Sequence, residues 1–185
     1  MDTDKISHVL AIDPSGNFNE GLGITGWVLH HVDTDKTVKY GAIDASQSIQ
    51  MEEHWEAHLT LIKSMHDENP NLVVVCEDYM LYANKATSQI NSRMETPKLI
   101  GVIQMYCWQN NIPLFFQTAA SVKRRWKEFV LVKHGYLEQK EVANGKYLHY
   151  YIRGNKINNH VVDALRHAIH FTKFKIKEEH KKGRR

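Results

Sequence analysis

Five consecutive apolar residues, Leu72-Val-Val-Val-Cys76, constrain this chain more than any other feature. A strand with one wet face alternates polar and apolar side chains; an unbroken β-branched run has both faces covered, as in the centre of a parallel sheet. Parallel neighbours need crossover helices, so the run predicts a layered α/β fold. A second run, His8-Val-Leu-Ala-Ile12, reads the same way. Each run ends on a carboxylate, Asp13 and Glu77.

The rest of the chain supplies the other layers. Pro14 to Gly23 is rich in Gly, Asn and Ser and reads as a loop. Ile24–His31 and Thr37–Ile43 read as strands joined through Asp33-Thr-Asp35, a hairpin. Met51 to His66 carries apolar residues at helical spacing. Thr96-Pro97 predicts a capped helix running to about Gln109. Ile112–Gln117 reads as a fifth strand, and Thr118 as the cap of a single helix from Ala119 to Lys133. Residues 135–156 read as irregular or weakly helical. Asn158 or Asn159 caps a last helix reaching about Lys177, with a fraying basic tail from Lys173. The expectation is one domain over residues 1–175, a five-stranded mixed sheet flanked by helices, and a tail over 176–185.

Charge is distributed unevenly. Residues 1–122 carry a net charge of −8 and residues 123–185 a net of +11. An acidic part and a basic part on one chain predict a carboxylate site beside an anion-binding surface, with nucleic acid as the partner to test. No apolar run reaches the ~20 residues of a membrane span. The start, Met1-Asp-Thr-Asp-Lys5, lacks a basic segment followed by an apolar one. Cys76 and Cys107 sit in apolar segments and read as reduced core residues. Together these place the expected protein in the cytoplasm, away from membranes.

The acidic residues carry the chemistry. If the two apolar strands are parallel neighbours, Asp13 and Glu77 meet at the carboxyl edge of the sheet, where open α/β sheets place their sites. His160-Val-Val-Asp163 adds a pair that shares one helical face. Three carboxylates and an imidazole suit a hard divalent cation, Mg²⁺, with Mn²⁺ able to substitute because of the softer imidazole. Taken singly, each has a plainer reading: Asp13 as a turn residue, Glu77-Asp78 as the start of a polar loop, His160 and Asp163 as helix-start residues.

The segments Leu10-Ala-Ile-Asp13-Pro-Ser and Gly23-Ile-Thr-Gly26-Trp-Val-Leu29 resemble the first motif of RuvC-type Holliday junction resolvases. Val73-Val-Val-Cys-Glu77 resembles the second, and His160-Val-Val-Asp163-Ala-Leu the last, in the version with histidine first. Pro97-Lys-Leu-Ile-Gly101-Val resembles the helix after the second motif, and Ala120-Ser-Val-Lys123 the helix bearing a functional lysine. The resemblance spans about residues 8–172, and its elongated form is similar to the bacteriophage or Gram-positive branch. It departs at the inserted Asn17-Phe-Asn-Glu20-Gly-Leu-Gly and over 135–156, where Lys140 stands as counterpart of a second functional lysine. It implies a ribonuclease H-like (retroviral integrase superfamily) fold. It also implies a homodimer, meeting through the helix after Pro97 with Met105, Tyr106 and Trp108. The implied activity is a metal-dependent endonuclease that cuts four-way junctions, and possible forks and flaps, in DNA recombination and repair. Asp13, Glu77, His160 and Asp163 would be its metal ligands, with His160 either a ligand or a proton shuttle.

Lys123, Arg124, Lys127 and Lys133 would contact phosphates from one helix, with positions 123 and 127 on one face. Lys85 lies in a polar stretch with Tyr79 and Tyr82, which would stack on unpaired bases or serve as loop anchors. Two other classes remain. One is an RNA-processing or noncatalytic nucleic-acid-binding relative on the same fold. The other is an actin-like ATPase phosphate loop at Asp13 to Gly26, which needs two such domains around a cleft.

Overall fold

The computed structural model describes residues 6–19, 21–80, 93–142 and 147–176. Its main sheet has five strands: β1 (His8–Asp13), β2 (Ile24–His31), β3 (Lys36–Asp44), β4 (Leu72–Asp78) and β5 (Leu114–Thr118). Their order is β3-β2-β1-β4-β5. The pairs β1–β2 and β2–β3 are antiparallel; β1–β4 and β4–β5 are parallel. This is the mixed five-stranded, helix-flanked sheet of the ribonuclease H-like fold.

Helix α1 (Met51–Glu68) connects β3 to β4, α2 (Glu95–Gln109) precedes β5, and α5 (Asn159–His170) closes the chain's core. Side chains on successive strand residues face opposite sides. Leu10, Ile12, Leu72 and Val74 pack with Ile62 and Met65 of α1 and Leu99, Ile103 and Cys107 of α2. Val9, Ala11, Val73 and Val75 pack on the other side with Val161, Val162, Leu165, Ala168 and Ile169 of α5. Both faces are therefore covered, which is why the central run shows no polar alternation. Burial also pushes the Cys107 thiol up to about 12, so it stays a protonated core group.

Four expectations need correction. The described residues of 135–156 are not helical, and most of them are strand. They contribute to a second, antiparallel sheet of β6 (Glu138–Val142), β7 (Tyr147–Ile152) and β8 (Asn155–Ile157). The aromatic segment Tyr147-Leu-His-Tyr-Tyr-Ile152 has strand composition, and its apolar positions Ile152 and Ile157 join the α5-side core. The expected helix over 119–133 is two helices, α3 (Ala119–Arg125) and α4 (Glu128–Lys133). Trp126 breaks it: its indole is buried against Tyr136 and Phe174, and its carbonyl accepts 2.9 Å from Arg166 Nε instead of continuing the helix. Lys123 and Lys127 thus do not share a helical face.

Thr96 does not cap α2. Met94 stands at that position, and the Thr96 hydroxyl accepts the Gly16 N–H at 3.1 Å. The last helix gives way at Phe171–Lys175 to a π-helical turn rather than running unchanged to 177. Lys173 is anchored there by an ion pair with Asp35 of the β2–β3 turn, so the fraying does not begin at 173. The tail beyond 176 lies outside the described residues. Among the described residues, no helix is long and apolar enough to cross a membrane.

Candidate functional site

The site is built on strand register. Ile12 pairs with Cys76 across the parallel β1–β4 ladder, and Glu77 pairs with Gln117 across β4–β5. Asp13, Glu77 and Gln117 therefore lie in one row at the carboxyl ends of three neighbouring strands, Glu77 and Gln117 one residue before the last. Asp13 has the parity of Val9 and Ala11, and Glu77 that of Val73 and Val75, so both face α5. On α5, residues 160, 163 and 167 lie on one stripe, three and seven positions apart. Asn158 starts that helix correctly, its side chain accepting the Val161 N–H at 2.9 Å.

The helix start lies very close to the sheet. A Cβ on Gly26, which pairs with Asp13, would fall 2.1 Å from the carbonyl carbon of His160. Only glycine admits this approach. It lets His160 Nδ1–H donate to Asp13 Oδ2 at 2.9 Å. Two turns on, His167 Nε2–H donates to Glu77 Oε2 at 2.9 Å, while His167 Nδ1 lies 3.0 Å from Gln117 Oε1. Asp163 accepts from Lys123 Nζ at 2.9 Å and from Arg166. Arg166 also engages Glu128, so its buried guanidinium ties α5 to α4.

The electrostatics follow from this crowding. Burial raises the Asp13 carboxyl above its ordinary range; the charges of Glu77 and Asp163 add to the rise and the His160 hydrogen bond opposes it. That hydrogen bond lifts the His160 imidazole above its ordinary value. Burial alone would lower the Lys123 ammonium, but the Asp163 hydrogen bond, with the charges of Asp163, Glu77 and Asp13, carries it upward.

The loop after Asp13 is clamped from behind. Ser15 N–H donates to Thr25 Oγ1 at 2.9 Å, and Thr25 Oγ1–H donates to His58 Nε2 at 2.8 Å. His58 Nδ1–H donates to the His54 carbonyl at 2.7 Å, and His54 Nε2–H to the Ser15 carbonyl at 3.1 Å. Burial lowers His58 to about 4, which keeps it the neutral acceptor this chain needs. Farther along, Asn19 N–H donates to the buried Glu95 carboxylate at 3.2 Å, fastening the inserted loop to α2.

Four of the residues singled out from sequence, Asp13, Glu77, His160 and Asp163, gather at this edge, and Lys123 joins them through Asp163. Lys140 does not: it lies in the small sheet, its ammonium 4.6 Å from the Tyr151 ring centre. Tyr79 follows β4 and lines a cleft with Pro14, Glu77, Thr96 and Ile100; its hydroxyl is buried. Tyr82 and Lys85 lie outside the described residues. Arg124, Lys127 and Lys133 are exposed on or beside α3 and α4. His167, Gln117 and Arg166 were not singled out. The legible signal for His167 was its seven-residue spacing from His160; Gln117 lies one residue before the end of its strand, as Glu77 does.

The donor set is that of a hard divalent ion, three carboxylates and an imidazole whose charges act on one another. Each acid is turned to a basic or imidazole partner, and among the described residues no three His, Cys, Asp or Glu side chains are arranged as ligands around one point. The site thus concentrates anionic charge that protein cations offset, and it fits a cation by chemistry.

The fold and the acidic edge define a ribonuclease H-like α/β protein with a carboxylate cluster at the strand ends. Among solved structures, the chain is similar to Thermus thermophilus RuvC in complex with a Holliday junction substrate. The TM-score is 0.65 at 16% identity, over 95% of this chain and 96% of that one. A second Thermus thermophilus RuvC structure matches with a TM-score of 0.59 at 14% identity, over 92% and 96%. No protein-family model matches the sequence, and no curated protein matches it.

Proposed function

We propose that this protein is a divalent-metal-dependent endonuclease that cuts branched DNA, four-way junctions above all, acting as a homodimer in recombination and repair. The observation that carries this reading is the row Asp13–Glu77, faced by His160 and Asp163 of α5. It occurs on a fold shared along 95% of the chain with a resolvase bound to its junction.

Asp13, Glu77, His160 and Asp163 would hold the cation, which supplies water activation and charge stabilisation at the leaving oxygen. Around it, this chain's own groups set the stage. His160 Nδ1–H holds Asp13 in orientation. Lys123 balances Asp163 from the side that carries the basic residues, where Arg124, Lys127 and Lys133 offer charge to phosphates. Lys140, in the small sheet against the Tyr151 ring, is assigned to a flanking phosphate rather than to the reacting bond. Tyr79 lines the cleft beside Glu77, which suits it to a base next to the cut. Met105 and Trp108 are exposed on α2, 53% and 73%, and supply the apolar patch of a two-fold contact. Two buried free thiols suit a reducing cytoplasm.

The test is cleavage of synthetic four-way, fork, flap and linear DNA duplexes, with matching RNA substrates, in Mg²⁺ or Mn²⁺. Asp13→Asn removes a charge from the ligand cluster and leaves the basic surface intact. It should abolish cleavage while junction binding, read by gel shift, persists. Near-normal cleavage by D13N in Mg²⁺ would sink the reading, and preference for RNA would move it to the RNA-processing class.

A further inference from the structure

We infer that His167 is a positioning residue for Glu77. Held as the neutral Nε2–H tautomer by the side-chain amide of Gln117, it engages Glu77 Oε2 and leaves Oε1 for the cation. The inference rests on the metal-dependent reading above.

His167 is fully buried on α5, wedged between two side chains from adjacent strands. Nε2 lies 2.9 Å from Glu77 Oε2 and Nδ1 lies 3.0 Å from Gln117 Oε1. A neutral imidazole has one donor and one acceptor. If Nδ1 alone carried the proton, the lone pair of Nε2 would face a carboxylate oxygen at 2.9 Å. The proton therefore belongs on Nε2, donated to Glu77. The lone pair of Nδ1 then needs a donor, and it faces the Gln117 amide, whose Nε2 is buried with no hydrogen-bond partner.

Amide oxygen and nitrogen are exchanged by a half-turn of the side chain. Turning the Gln117 amide over lets Nε2–H donate to His167 Nδ1, which pairs an orphaned buried donor and fixes the tautomer in one step. An imidazolium between two acceptors would leave the Gln117 Nε2 donor orphaned. The relay Gln117 → His167 → Glu77 thus runs in one direction. Its end is a carboxylate with one oxygen engaged and the torsion of its terminal group set. Groups that orient a metal ligand in this way are typically worth 10- to 100-fold in metal affinity.

The experiment compares wild type, His167→Gln and His167→Leu by Mn²⁺ titration calorimetry, thermal unfolding and imidazole ¹⁵N NMR. Glutamine keeps an N–H near the position of Nε2; leucine fills the space without one. The NMR spectrum of wild type should show His167 as a neutral Nε2–H tautomer. H167Q should bind Mn²⁺ within a few-fold of wild type, and H167L about 10- to 100-fold more weakly. If H167L does not fold, Gln117→Met tests the other end of the relay, with mixed tautomers and weaker Mn²⁺ binding expected.

An imidazolium signal, or equal Mn²⁺ affinity for H167Q and H167L, overturns the inference alone. A wild-type protein that binds no Mn²⁺ overturns the metal-dependent reading, and this inference with it.

Discussion

Replacing Gly26 with alanine should damage the site more than the fold. The added Cβ would sit 2.1 Å from the carbonyl carbon of His160, 2.2 Å from its oxygen and 2.4 Å from the Val161 nitrogen. Ordinary contacts begin at 3.4 Å, so the first turn of α5 must withdraw by about 1 Å. The obstruction is backbone on both sides, which no rotamer change relieves. Overpacking of this kind costs about 1–3 kcal/mol, or roughly 2–4 °C of melting temperature per kcal/mol at this chain length. The functional cost is larger. His160 reaches Asp13 over 2.9 Å, and a displacement of about 1 Å in such a constellation is worth about 10²-fold in rate. The matched control is Gly41→Ala, where the new Cβ meets first the Trp27 ring, at 2.8 Å, on the face of the sheet opposite α5. Junction cleavage under single-turnover conditions and thermal unfolding on both variants decide the matter. G26A should lose both stability and rate, G41A stability alone. Cleavage by G26A within a few-fold of wild type would refute the claim that the approach of α5 to β2 sets the site.

Two further outcomes follow from the surface and from pH. Arg124→Ala with Lys127→Ala should weaken junction binding for every DNA sequence. The slope of log K against log salt should also flatten by about 0.9 per lost phosphate contact, and an unchanged slope would mean these residues face away from DNA. Asp35→Asn should flatten the acid limb of stability. Burial raises the Asp35 carboxyl, but hydrogen bonds from Lys173, Tyr136 and His30 outweigh it and hold the carboxyl below its ordinary value. A depressed carboxyl stabilises the fold above its unfolded pKa of about 3.9 and loses that contribution as pH falls through the folded value. Wild type should therefore melt above D35N at neutral pH, with the gap closing below about pH 4. A gap that stays constant down to pH 2 would remove Asp35 from the account.

Local chemistry was enough to read much of this protein. The unbroken Leu72–Cys76 run could only be a strand covered on both faces, and the carboxylates closing it and its partner run had to lie at a sheet edge. Helical spacing put His160 and Asp163 on one stripe, and their partners agree. Other features depended on contacts distant in sequence. The 119–133 segment has helical composition throughout; it breaks at Trp126 because Arg166, 40 residues on, takes the Trp126 carbonyl. The small sheet over 138–157 has weak strand signals of its own and is settled by packing Ile152 and Ile157 against the α5-side core. His54 and His58 look like ordinary helix residues until the loop after Asp13 folds back on them. His167 gains meaning only when β4 and β5 set Glu77 beside Gln117. Periodicity reports which face of an element avoids water, because that is a property of neighbours in sequence. It carries no record of which polar group will meet which across the core, because register, crossing geometry and close approaches such as that at Gly26 exist only once the layers have packed.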